Sequence, residues 1–241
     1  LLTTELGAPF LVALFGAGAA SAIAAFLVGL PSLRLRGVYF LLLTVAFTEV
    51  VRSVTIKWLP SHIYAPAMSL GGYTLGRLPQ YYFVVLFTTL ILFLLYRLNG
   101  SRIGLTFKGI SQAENLAAAI GINTYRFRIG NFVVSCFVAG FAGSMFAHTV
   151  RLVTPWGFTF TFMMYIAIWN FAGGIRYFSG PIIGAVVLTL MIEPLSSLAH
   201  YESIAYAAII IVMVFFLPDG LVTLPQRLRS LRVFSSYDTK E

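Results

Sequence analysis

At 241 residues, 59% hydrophobic and only 10% charged, the chain has a mean hydropathy of +0.90, far from the composition of water-soluble domains. A net charge of +8 would point a soluble protein toward nucleic acid; beside so much apolar sequence it reads as basic loops on one side of a membrane. The single cysteine, Cys136, excludes an intrachain disulfide, and no Cys/His spacing resembles a metal site.

Uncharged runs occupy residues 6–33, 78–96, 129–150 and 152–175, each long enough for the roughly 20 helical residues that cross a hydrocarbon core. They do not alternate apolar with polar, which excludes a transmembrane β-barrel. The fold class expected is all-α, a polytopic membrane helical bundle of about seven transmembrane helices. The chain opens Leu1-Leu2-Thr3, with no initiator methionine, basic n-region or small-residue cleavage site. No signal peptide is expected, and upstream sequence is expected to be missing.

The first span is predicted over 9–30, closed by Pro31, with Gly16, Ala20 and Ala24 as a small-residue face for close helix approach. Gly16-Ala-Gly18-Ala-Ala-Ser21 lacks the third glycine of a dinucleotide fingerprint and opens no strand–turn–helix unit. Arg34 and Arg36 mark an inner turn. A second span over 37–58 carries Glu49 and Arg52, with Lys57 and Trp58 as interfacial anchors. Residues 59–79, rich in glycine and proline, read as an external loop, and a third span covers about 80–98.

The longest well-punctuated polar interval follows. Ser111 and Glu114 have the S-x-x-E spacing of a capping box, and Gly121 stands where a left-handed residue would end a helix over Gln112–Ile120. Ala113, Leu116, Ala117 and Ile120 fall on one apolar face, and Arg102, Lys108, Arg126 and Arg128 flank it. Spacing alone favours a loop helix on the membrane surface over an element that docks into another protein.

Span four is predicted over about 128–149, with Ala139, Gly143 and Ala147 on one face and Gly140 among its packing positions. Span five, about 158–173, ends at Gly173-Gly174. Span six begins at Pro181, which needs no N–H partner there, and reaches Leu198, with Gly180 and Gly184 forming a GxxxG face. Span seven covers about 203–217. In the basic tail, residues 222–241, Leu224, Leu228 and Leu231 accompany Arg227, Arg229 and Arg232, a pattern suited to an inner-surface helix. Five Lys/Arg in 97–128 and four in the tail, against Lys57, Arg77 and Arg151 outside, set both the polar interval and the C-terminus on the cytoplasmic side.

Few residues carry chemistry. No glycine precedes a lysine, so no Walker A loop exists, and neither H-E-x-x-H nor G-x-S-x-G occurs. His62, His148 and His200 fall near external ends and read as interfacial residues. Glu49 and Glu193 lie about 12 residues into their helices, roughly 18 Å deep at 1.5 Å per residue. They line a polar path with Thr44 and Thr48, or they are structural: Glu49 paired with Arg52 three residues on, Glu193 beside the Pro194 kink. A carboxylate at that depth is costly unless it meets water or a partner.

Leu33-Arg-Leu-Arg-Gly-Val-Tyr39 with Thr44-Val-Ala-Phe-Thr-Glu49 resembles the LRLRG-x-Y…T-L-A-F-x-E segment of branched-chain amino-acid ABC permeases of the LivM type. Ser101-Arg-Ile-Gly104, Ile110, Glu114-Asn115, Ala117-Ala118 and Gly121-Ile122-Asn123 are similar to the family's cytoplasmic loop, S-R-x-G…I-x-x-N-E-x-A-A-x-x-x-G-I-N. Phe141-Ala-Gly143 with Ala147-His148, Gly173-Gly174…Gly180-Pro181…Gly184-Ala185, and Pro218-x-Gly220-Leu221 continue the match in family order.

The resemblance implies a permease domain over 1–221, with leading helices ahead of it, acting as one subunit of an ATP-driven importer. The stretch 111–121 would be its coupling helix, with Ser111, Gln112, Glu114, Asn115, Ala117, Ala118 and Gly121 meeting a cytoplasmic ATPase. Gly140, Gly143, Gly173, Gly174, Gly180, Pro181 and Gly184 would serve packing or hinge motion. The partners implied are a related second permease, two ATPase subunits that bind ATP and magnesium, and an external substrate-binding protein. The permease itself would hold no cofactor or metal and catalyse no reaction, in the cytoplasmic (inner) membrane of a bacterium or archaeon. Two departures, Tyr64-Ala-Pro-Ala-Met-Ser-Leu-Gly71-Gly72 and Gly173-Gly174-Ile-Arg176-Tyr177, leave urea, amides or another small organic solute open as the cargo. A passive channel is the alternative of a different class.

Overall fold

A computed structural model describes residues 9–33, 35, 37–58, 63–66, 68–70, 73–74, 76–154, 157, 159–174 and 177–192. Among the described residues four helices are long and apolar enough to cross a membrane: α1 (Phe10–Ser32), α2 (Val38–Trp58), α3 (Arg77–Asn99) and α6 (Thr124–Val150). Between α3 and α6 lie α4 (Arg102–Gln112) and α5 (Glu114–Ala119); α7 (Phe160–Gly173) and α8 (Gly180–Ile192) are shorter apolar helices. The end of the sixth predicted span, Glu193, the seventh span and the basic tail lie outside the described residues.

Two helix limits depart from the sequence reading. Helix α1 runs through Pro31 rather than stopping before it, because the Leu33 N–H still reaches the Gly29 carbonyl at 3.0 Å. Helix α7 has 14 residues, a rise of about 21 Å at 1.5 Å per residue, so it falls short of a full crossing of about 30 Å. Gly157 and Gly174 punctuate its two sides.

The first compact unit holds α1 to α6 and four two-residue strands. In it α1 lies along α6, and the reason is side-chain size. Gly18 touches the rings of Phe137 and Phe141, while a Cβ on Gly140 would come within 2.7 Å of the Ala17 carbonyl and 2.9 Å of the Gly18 Cα. Ser21 seals the seam by donating its hydroxyl to the Cys136 carbonyl at 2.6 Å. The residues buried on α1 are Phe10, Ala13, Leu14, Gly18, Ala25, Gly29 and Ser32; Ala20 and Ala24, expected at the contact, are exposed. On α6 Gly140 makes the approach, whereas Gly143 has nothing within 4 Å of its would-be Cβ.

One end of this unit is a buried, largely aromatic cluster. Phe10, Leu14, Met68, Phe141 and Met145 are buried together, with Phe83, Phe87 and Phe137 packed on them. The start of α1, the start of α3 and the end of α6 meet there, with Gln80 Nε2 donating to the His148 carbonyl at 3.3 Å. His148 is buried rather than interfacial: its ring stands edge-on to Phe10 at 4.9 Å, and Nδ1 lies 2.8 Å from the Ser144 carbonyl. The adjoining connections, expected to be irregular, form two short antiparallel pairs. One is β1 (Ile63–Tyr64) with β4 (Leu152–Val153); the other is β2 (Ser69–Leu70) with β3 (Tyr73–Thr74).

In the second unit α7 and α8 approach as closely as backbones allow. A Cβ on Gly173 would collide with the Gly180 carbonyl, one on Gly184 with the Trp169 carbonyl, and one on Gly180 with the Gly174 carbonyl. Gly174 also turns the chain at φ +107°, where a side chain would be strained. Pro181 falls one residue inside α8, in its first turn, where a missing N–H leaves no helix bond unmade.

Candidate functional site

The polar interval folds as two helices, not one. Ser101 caps α4: its Oγ accepts the Gly104 N–H at 3.3 Å and donates to the Leu98 carbonyl at 2.6 Å. Gly104 is glycine for a steric reason, since a Cβ there would strike the carbonyls of Leu98 and Asn99. Helix α4 then runs through Ser111, whose hydroxyl donates back to the Lys108 carbonyl at 2.8 Å. The expected Ser111–Glu114 capping box is therefore not formed. A residue already inside one helix cannot take the extended backbone that caps the next, and the break falls at Ala113, φ −150°, ψ 79°.

Helix α5 has only six residues and no side-chain cap at its start, so isolated it would not persist. Its end is well made. Gly121 takes φ +87°, the Gly121 N–H bonds the Ala118 carbonyl at 3.0 Å, and the Ile122 N–H bonds the Ala117 carbonyl at 3.1 Å. Those two bonds make the paired Schellman closure that satisfies the last carbonyls. The Glu114 carboxylate, freed from capping, accepts from Arg128 Nη1 of α6 at 3.1 Å. A cavity of about 360 Å³ beside this pair is lined by Phe107, Ile110, Ser111, Glu114, Arg128 and Asn131.

The apolar face of α5 is split. Ala117 is buried, 6% exposed, while Leu116 and Ile120 are 66% and 72% exposed. Gln112, Asn115 and Ala118 are exposed too. The helix is thus pinned by one small residue, one ion pair and its C-terminal closure, and it holds two large apolar side chains away from the rest of the described chain.

On α2, Glu49 is paired with Arg52. Arg52 Nε donates to its Oε2 at 2.8 Å, and Arg52 Nη2 stands 2.6 Å from the same oxygen. Thr44 and Thr48 turn their hydroxyls back on their own helix, to the Leu41 and Thr44 carbonyls, each at 2.9 Å. None of these side chains is buried, and α2 has no buried residue at all, which suits a helix faced by lipid or by another subunit. A crevice of about 370 Å³ between α1 and α2, lined by Ala24, Leu27, Val28, Pro31, Leu43 and Phe47, is almost wholly apolar. Glu193 lies outside the described residues. Among the described residues no three His, Cys, Asp or Glu side chains converge.

Two residues prove central: Arg128, which the sequence reading treated only as flanking, and Tyr125, which it passed over. Tyr125 Oη donates to the Leu30 carbonyl of α1 at 2.7 Å, and Arg128 holds Glu114. The available signal was their place just after Asn123, which caps α6 by accepting the Arg126 N–H at 3.1 Å.

Residues 1–217 match the family model described as the permease component of the branched-chain amino acid transport system. The chain belongs to that permease family. It is 28% identical over 258 aligned positions to the high-affinity branched-chain amino acid transport system permease protein LivM of Salmonella typhimurium, covering 94% of this chain. The Escherichia coli K12 protein of the same name is 27% identical over the same share. This permease-family chain spans 61% of the length of those relatives. The permease protein LivH of E. coli K12 is 27% identical over 130 positions, 52% of this chain and 41% of LivH. No solved structure matches. As a permease-family chain with four long apolar helices, the protein is a multi-pass membrane protein.

Proposed function

We propose that the chain is a transmembrane permease subunit of an ATP-driven importer for branched-chain amino acids. The observation that carries the reading is the pairing of permease-family membership with α5, a six-residue helix on a basic end of the bundle that presents Leu116 and Ile120 outward. An ATPase groove would cover those two side chains. Burial of apolar area would hold the contact, and Gln112, Asn115 and Ala118 would border it.

Five Lys/Arg in 97–128 support a cytoplasmic position for this end at the inner membrane, where ATPase subunits with their ATP and magnesium would meet it. The aromatic end around Phe10, Gln80 and His148 then faces outward, toward a substrate-binding protein. Relatives named LivM and LivH support a heterodimer of two related permeases. ATPase closure would favour one of two arrangements of the helices, and α5 would contribute the contacts that differ between them. Hydrolysis would belong to the partners, in keeping with a permease role for this chain.

The test is co-purification. Glu114→Arg, or deletion of 112–120, abolishes recovery of the ATPase with the permease while the spans still insert. Retained recovery contradicts the proposal. Cargo is tested with the assembled complex in proteoliposomes: ATP-dependent uptake of leucine, isoleucine and valine is expected. Uptake of urea or amides instead would reassign the solute, and uptake without ATPase would make the chain a facilitator.

A further inference from the structure

Three neighbouring side chains among the first five residues of α6 each grip a different element. Tyr125 Oη holds the Leu30 carbonyl in the last turn of α1 at 2.7 Å. Phe127 stands edge-on to Phe107 of α4, ring centroids 5.9 Å apart. Arg128 holds Glu114, the first residue of α5, at 3.1 Å. At about 100° per residue, Arg128 lies roughly 60° from Tyr125 round the helix and Phe127 roughly 160° from it, so Tyr125 and Arg128 grip from neighbouring faces and Phe127 from the other side.

We infer that this start of α6 is the joint through which a displacement of α5 reaches α1, with Arg128 and Tyr125 as its positioning residues. The inference rests on the ATPase-docking reading of α5 and goes beyond it by naming the route. Helix α5 cannot act as a lever on its own, being six residues long and uncapped at its start. Its rigid attachment is on the α6 side: the Schellman closure at Gly121 leaves only Ile122 and Asn123 before α6, and Asn123 is itself the cap. On the other side Ala113, φ −150° and ψ 79°, is a single-residue break between α4 and α5, its N–H bonded to the Gly109 carbonyl and its carbonyl to the Ala117 N–H.

Beyond the joint there is no slack. Gly140 stands against the Ala17 carbonyl, and Ser21 is bonded to Cys136 at 2.6 Å. Close-packed interfaces pass displacement on rather than absorb it, so a shift of α6 carries α1 with it. A cavity beside Glu114 and Arg128 lines the joint and gives that ion pair room to swing.

The experiment uses the assembled complex, permease with its partner subunits, reconstituted in proteoliposomes; leucine taken up per ATP hydrolysed is the readout. Arg128→Gln is expected to keep the ATPase subunits bound and hydrolysing while uptake per ATP falls at least about fivefold, the low end of ordinary coupling between sites. Arg128→Lys, which keeps the charge, restores most of it. Tyr125→Phe, which removes one oxygen, lowers the ratio at least about twofold, as loss of one hydrogen bond would.

Native uptake per ATP in Arg128→Gln, or an equal loss in Arg128→Lys, overturns the joint. If Arg128→Gln does not assemble, Tyr125→Phe decides, and an unchanged ratio there overturns it. A native complex that takes up no leucine with ATP defeats the importer reading itself, a failure visible before any variant is made.

Discussion

Gly140 and Gly143 sit three residues apart on one helix and do opposite things. A methyl group on Gly140 would press on the Ala17 carbonyl and the Gly18 Cα, both backbone atoms of α1, and backbone cannot step aside as a side chain can. Gly140→Ala should therefore destabilise the isolated chain in detergent by about 1–3 kcal/mol, seen as a lower unfolding temperature. Gly143→Ala has open space around it and should be neutral or stabilising by up to about 1 kcal/mol. The sequence reading named both glycines as packing positions and drew the small-residue face through Gly143, because small residues recur there every four positions. Spacing along one helix cannot tell which small residue meets a neighbour 120 residues away in the chain. That choice was made by Gly18 and Ser21, whose partners Phe137 and Cys136 lie on the Gly140 side.

The helices themselves were legible. Apolar runs bounded by charge or glycine predicted α1, α2, α3 and α6 to within a few residues, because length and hydropathy dominate wherever a segment must satisfy its own backbone in lipid. The polar interval was harder. Two capping signals compete there, Ser101 with Gly104 and Ser111 with Glu114. The first wins because Ser101 satisfies the Leu98 carbonyl as well as the Gly104 N–H, which starts α4 early enough to absorb Ser111. Gly121 read correctly, since φ +87° is the glycine-favouring conformation that a helix end demands. Gly121→Ala should weaken the closure of α5 by about 1–2 kcal/mol, measurable as faster amide exchange at Ile122. Gly104→Ala, which overlaps two α3 carbonyls, should loosen α4 from α3 and speed exchange through the first turn of α4.

Across the described first unit, the ends sort into two groups. Phe10, Gln80 and His148 gather at one; Leu30, Tyr125, Glu114 and Arg128 gather at the other. That arrangement agrees with the topology read from basic residues, in which α1 and α3 start, and α6 ends, on the outer side. In a Cys136→Ser background, a cysteine at Tyr64 should react with an impermeant thiol reagent applied to intact cells. One at Leu116 should react only after the membrane is opened. Reversal of that pattern would invert the orientation and remove α5 from the reach of any ATPase.

The most direct measurement places a photo-crosslinker at Leu116 and, separately, at Ile120 in the complex assembled in native membranes. Both positions should join the permease to its ATPase subunit, and a crosslinker at Leu94 on α3 should not. Adducts from Leu116 and Ile120 to lipid alone would contradict the proposal that α5 is where the energy of hydrolysis enters this chain.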